Sequence, residues 1–128
     1  MLDAELRFRS MLHHVTLEID AGDAERFADL LAAIGFAPVP VPETLGAGIR
    51  WFEQSGTQVH LMDVVAPVAP PRGHAAFVVD PLEPVLERLA GLGFEAADRR
   101  PHWGARRVFV AAPGGHRIEL MEAPPGPS

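Results

Sequence analysis

Four side chains with the chemistry of metal ligands stand at matching places in two halves of this sequence. His14 opens the alternating run His14-Val-Thr-Leu-Glu-Ile-Asp20, and His74 opens His74-Ala-Ala-Phe-Val-Val-Asp80. A second pair of runs, Gly56-Thr-Gln-Val-His60-Leu-Met-Asp63 and Gly115-His-Arg-Ile-Glu119-Leu-Met-Glu122, puts a histidine and a glutamate in corresponding positions. A lone histidine in a strand is ordinarily structural or solvated; the repetition singles these out. Imidazoles with a carboxylate suit a divalent transition metal such as Zn, Ni, Fe or Mn. Such an ion, ligated by protein on one side, keeps positions open for substrate oxygens or water and can stabilise an oxyanion as it forms. Glu119 or His60 would then move the proton. Other chemistries are pruned by absence. The chain has no cysteine, lysine or tyrosine, which removes thiolate nucleophiles, Schiff bases and phenolic acids. Ser10, Ser55 and Ser128 lie in no nucleophile-elbow pattern.

The elements that must position these groups follow from hydrophobic periodicity. Val15, Leu17 and Ile19 alternate with His14, Thr16 and Glu18, which predicts a half-buried strand. Asp20 and Asp23 are helix-start residues, and Ala24 to Ile34 carries Phe27, Leu30, Leu31 and Ile34 on one helical stripe. Gly35 and Phe36 fit a helix C-terminal cap. Pro38, Pro40 and Pro42 allow only an edge strand or extended loop over 37–43. Residues 49–53 and 58–63 then form a hairpin. After a Pro-rich stretch the pattern restarts: a strand over 73–80, a helix over 82–92 with Pro81 in its first turn, Gly93-Phe94 as a second cap, a strand over 95–99, and a hairpin of 106–111 with 117–122. The expected organisation is an N-terminal extension (1–10), a first βαβββ module (11–66), a Pro-rich connector (67–73), a second βαβββ module (74–122) and a C-terminal tail (123–128). A repeat this short cannot bury its own sheet face, so the two modules must share one compact domain.

Register decides function here. If the apolar alternates Val15/Leu17/Ile19, Val59/Leu61, Ala75/Phe77/Val79 and Ile118/Leu120 face the helices, the opposite face holds His14, His60, His74 and Glu119. Pairing of Phe52 with Val59 would set Trp51 and Ile49 beside His60. The same logic sets Val108 and Arg106 beside Glu119, with Trp51 a candidate to pack on substrate and Arg106 a candidate to hold a carboxylate or phosphate; a rim tryptophan and a solvated arginine are the alternatives. His13 is expected on the opposite face, and His102 and His116 in solvated loops.

Composition bounds the rest. At 128 residues the chain is one domain by length, and 48% hydrophobic residues suffice for a core. A formal charge of −6 and the lack of any Lys/Arg run argue against nucleic acid. No apolar run reaches membrane-spanning length, and Met1 to Ser10 lacks the apolar region of a secretory signal. Cytoplasm is the default compartment. Met11, directly before the first strand, is an alternative start.

The motifs Leu12-His-His-Val-Thr-Leu17, Val59-His-Leu61, His74-Ala-Ala-Phe77, Arg107-Val-Phe-Val110 and Pro113-Gly-Gly-His-Arg-Ile-Glu-Leu120 together resemble the vicinal oxygen chelate superfamily. Its members include glyoxalase I, extradiol ring-cleavage dioxygenases, fosfomycin-resistance enzymes and bleomycin-binding proteins. The resemblance covers roughly residues 11–122. It implies an α+β fold in which tandem βαβββ modules form a half-open mixed-sheet barrel around a divalent metal. It also implies ligands from the first and last strand of each module, here His14, His60, His74 and Glu119, within one chain or across a homodimer. Glyoxalase I usually carries glutamate where His60 stands, so His60 is either a fourth ligand or an acid/base beside a His14–His74–Glu119 triad. The implied function is a metal-dependent glyoxalase-like isomerase or lyase acting on a small vicinal-oxygen substrate. The alternatives are an Fe(II) extradiol-type dioxygenase and a non-enzymatic drug-binding protein of the bleomycin-resistance type.

Overall fold

Each half of the chain alternates strictly enough to fix which face of its strands is buried, and the helix that follows the first strand covers that face. The computed structural model describes residues 7–126. In the first half β1 (His14–Ile19) leads through a short turn to α1 (Ala24–Ala33), then β2 (Ala37–Val39), β3 (Ile49–Gln54) and β4 (Thr57–Asp63). The second repeats the order as β5 (Ala75–Val78), α2 (Leu82–Gly91), β6 (Ala96–Arg99), β7 (Arg107–Ala111) and β8 (Arg117–Met121). Each half forms a four-stranded sheet, ordered β1-β4-β3-β2 and β5-β8-β7-β6, with the first strand parallel to the last and the others antiparallel. The sheets do not close on each other, so the α+β architecture is the half-open, glyoxalase-like one. The proline-rich segment after α1 forms the edge strand β2, where a missing N–H costs least.

Both helices end in the same cap. Gly35 (φ 100°) and Gly93 (φ 84°) take the left-handed conformation, and the next N–H reaches back to the helix: Phe36 N to Leu31 O and Phe94 N to Leu89 O, each 2.9 Å. The phenylalanines so placed join the core. Phe36 meets Phe77 edge to face across the halves at 5.4 Å, and Arg26 lies 3.8 Å over the Phe94 ring while donating to Leu92 O. One core therefore serves both modules, with Phe27, Leu31, Leu61, Leu82, Leu89 and Leu120 fully buried. Each such side chain contributes about 1.5–3 kcal/mol through removal from water.

Three local expectations are corrected. His116 is not solvated. It is 5% exposed, packs on Phe27, and its Nε2 donates to the Glu18 carbonyl at 2.7 Å, pinning the second half's hairpin turn to β1. Pro81 precedes α2 as its cap rather than lying in its first turn, and the Asp80–Pro81 peptide is cis. In the second hairpin Phe109, not Val108, lies opposite Glu119. Val108 and Val110 are each 1% exposed in the core, so Arg107 and Phe109 take the open face. A one-residue slip in register inverts every side chain of a strand, and the Ala112–His116 turn hid that residue from counting. Among the described residues no helix is long and apolar enough to cross a membrane.

Candidate metal centre

In the second half Ile118 and Leu120 turn to the helices, so Glu119 between them must point into the open trough. It sits at the centre of that face, paired laterally with Ala76 and Phe109, and is only 6% exposed. His74, immediately before β5, places Nε2 at 3.0 Å from Glu119 Oε1. Its Nδ1 lies 2.9 Å from the Arg72 carbonyl, which can only accept, so Nδ1 carries a proton. With Nδ1 so engaged, Nε2 and Oε1 face each other across a proton or a cation. Phe109 supports the imidazole edge-on at 4.8 Å. Arg107 holds the other carboxylate oxygen, with Nε to Oε2 at 2.8 Å, while its Nη1 reaches Arg100 O at 2.9 Å. Burial works against ionisation of Glu119, but the hydrogen bonds from Arg107 and His74 outweigh it and hold the carboxyl below its usual range.

The first half presents stacked rings. Trp51 pairs laterally with His60 and lies parallel to it at 4.3 Å; His14 stacks on the other side at 4.0 Å. His60 is 7% exposed, with Nε2 at 2.7 Å from Gln58 Oε1, and Gln58 in turn donates to Glu53. Burial, then the neighbouring His14 and His13, lower the His60 pKa, so the neutral ring is favoured. His13 is not on the far face: its Nδ1 lies 2.9 Å from His14 Nδ1.

The expected residues are thus brought together as two pairs, His14 with His60 and His74 with Glu119, and not as one set of four. Among the described residues no three metal-capable side chains gather around one point. The donors fit a divalent ion, imidazoles in one half and imidazole plus carboxylate in the other, but one half supplies only part of a ligand set. Trp51 occupies the trough face expected of it. Arg106 does not: it points away from Glu119 and forms ion pairs with Asp98 and Glu83, which raise its pKa in that order. Sequence reasoning missed Arg107 and Gln58. The alternation Arg107-Val-Phe-Val110, with its valines assigned to the core, carried the signal for Arg107; Gln58 carried none beyond sharing the His60 face. His102 stands exposed in the loop after β6, as expected.

Known proteins share this fold. A glyoxalase family protein from Bacillus anthracis superposes with a TM-score of 0.79 at 27% identity, covering 90% of this chain and 96% of that one. The fosfomycin resistance protein FosX from Listeria monocytogenes gives 0.72 at 20% identity, with 91% and 94% covered. Oxidase ChaP-H2 gives 0.73 at 18% identity, with 93% and 98% covered. Another structure of the Listeria protein, a variant at 20% identity, is complexed with Mn(II) and 1S,2S-dihydroxypropylphosphonic acid. No curated protein matches significantly. The sequence profile of the Glyoxalase/Bleomycin resistance protein/Dioxygenase superfamily matches residues 11–120, and the chain belongs to that superfamily.

Proposed function

We propose that this protein is a divalent-metal-dependent, glyoxalase-like enzyme of the isomerase or lyase type, acting on a small substrate with vicinal oxygens. The observation that carries the reading is the His74–Glu119 pair, in which an imidazole nitrogen and a buried carboxylate oxygen lie 3.0 Å apart while the other carboxylate oxygen is held by Arg107. A metal bound there would supply Lewis acidity to the two substrate oxygens. His14, from the first half of a second copy of the chain, completes the ligand set. Glu119 is the group able to accept and return a proton at Oε1. His60, kept neutral, is the alternative base on the facing side, with Trp51 as a flat wall against the substrate. Arg107 keeps Glu119 ionised and oriented.

Elemental analysis of protein prepared without chelators tests this first, with about one divalent ion expected per His14–His74–Glu119 set. His74→Ala and Glu119→Gln should each lower that content by about 10-fold or more in affinity; content unchanged in both variants sinks the assignment. A panel of α-hydroxyketones and hemithioacetals then looks for turnover. The second reading is an Fe(II) oxygenase of the extradiol type. Two histidines and one carboxylate support it, as does the likeness in fold to Oxidase ChaP-H2. Oxygen uptake with catechols and Fe(II) separates the two.

A further inference from the structure

The chain carries a formal charge of −6, yet its second trough ends in concentrated positive charge. A cleft of about 360 Å³ opens beside the candidate centre, lined by Asp98, Arg99, Arg100, His102 and Arg107. Its one carboxylate is engaged, since Asp98 accepts from Arg106 Nε at 3.1 Å. Arg107 is committed to Glu119. Among the described residues Arg99 and Arg100 form no ion pair. Arg99 rests 5.3 Å from the centre of the Phe109 ring, the ring that also supports His74. The cleft and the candidate centre share one guanidinium: Arg107 binds Glu119 through Nε and the Arg100 carbonyl through Nη1. A small molecule held at His74 and Glu119 would meet this cleft at Arg107.

We propose that this cleft is an oxyanion subsite, which takes an acidic group of the substrate (carboxylate, phosphate or phosphonate) on Arg99, Arg100 and His102. The substrate class narrows to acids with a vicinal oxygen pair a few bonds from the charged group. The proposal rests on the functional reading above for the chelating end, while the subsite stands on the cleft alone. Guanidinium forks match the geometry of such anions, and charge-assisted bonds are stronger than neutral ones.

The test is calorimetric titration of the full-length, EDTA-dialysed protein with inorganic phosphate and, separately, acetate, so that no bound metal takes the anion. The arms distinguish a tetrahedral from a planar group. Binding of either anion is expected, weakened by raised salt and by roughly tenfold in Arg99→Ala/Arg100→Ala. Arg50→Ala/Arg88→Ala, which removes the same charge elsewhere on the surface, should bind as the parent does. Failure of both anions to bind overturns the proposal, as does equal weakening in the two double variants. So does a shift of the monomer–dimer equilibrium in Arg99→Ala/Arg100→Ala with anion affinity unchanged, which assigns these arginines to an interface. Manganese uptake, followed by electron paramagnetic resonance on the same preparations, separates the two readings. Phosphate bound without manganese uptake removes the metal assignment and leaves the subsite; manganese uptake without anion binding removes the subsite alone.

Discussion

Glu119 ionises in spite of its burial, because Arg107 and His74 each bond the charged form. Replacing Arg107 by Ala leaves the burial and removes the stronger of the two partners, so the carboxyl should titrate at higher pH. The sign follows from linkage. A carboxyl depressed in the folded state adds stability above its unfolded pKa, and that stability is lost as pH falls through the folded value. In Arg107→Ala this contribution should shrink or reverse, and manganese uptake, which needs the carboxylate, should fail at a higher pH than in the parent. Uptake measured against pH checks this; coincident midpoints would show that Arg107 does not govern the group. At this scale the sequence was legible wherever apolar neighbours pin a side chain's direction. Glu119 lies between Ile118 and Leu120, and His60 between Val59 and Leu61, so their faces could be read. Arg106 could not be placed, because its direction hangs on a turn that a residue count does not resolve. The stacking of Trp51, His60 and His14 depends on rotamers, which pattern does not encode.

The elements were legible to within a residue or two, because amphipathic stripes and glycine stops mark them independently. Gly35-Phe36 and Gly93-Phe94 announce the same cap twice, and the duplicated cap offers an internal comparison. Gly93→Ala places a methyl group at φ 84° with its nearest neighbour, Arg26 Nη2, at 3.4 Å. It should cost about 1–2 kcal/mol from the left-handed backbone alone. Gly35→Ala meets the same backbone penalty, and its Cβ would also clash with Gln54 Nε2, so Gln54 must move as well. The second variant should therefore be the less stable in urea unfolding. Equal losses would mean that the Gln54 side chain gives way freely. The hairpins differ in legibility for a related reason. Ser55-Gly56 is a tight turn with both residues at positive φ, which fixes the pairing of Phe52 with Val59. The longer Ala112–His116 connection sets no such register by its residues alone.

For the whole molecule, duplication was visible in the repeat of motifs, but the relative placement of the halves was not, since it rests on contacts such as Phe36 with Phe77 that no periodicity predicts. That placement leaves the candidate ligands of each chain, among the described residues, in two separate pairs. If two chains complete each other, as proposed, His14→Ala and Glu119→Gln are complementary defects. Each alone should take up little manganese. Refolded together, half of the dimers by statistics combine the two chains, and each of these has one intact site. Uptake of roughly a quarter of the parent value is expected, whereas a site built within one chain predicts no recovery on mixing.

The hydrogen bond from His116 to the Glu18 carbonyl joins groups 98 positions apart. Synthesis runs from the N-terminal side onward, so this carbonyl is made 98 residues before the side chain that it meets. The nascent first half therefore emerges with that bond still unmade and with the flank of Phe27 uncovered, and its consolidation waits for the second half's last hairpin.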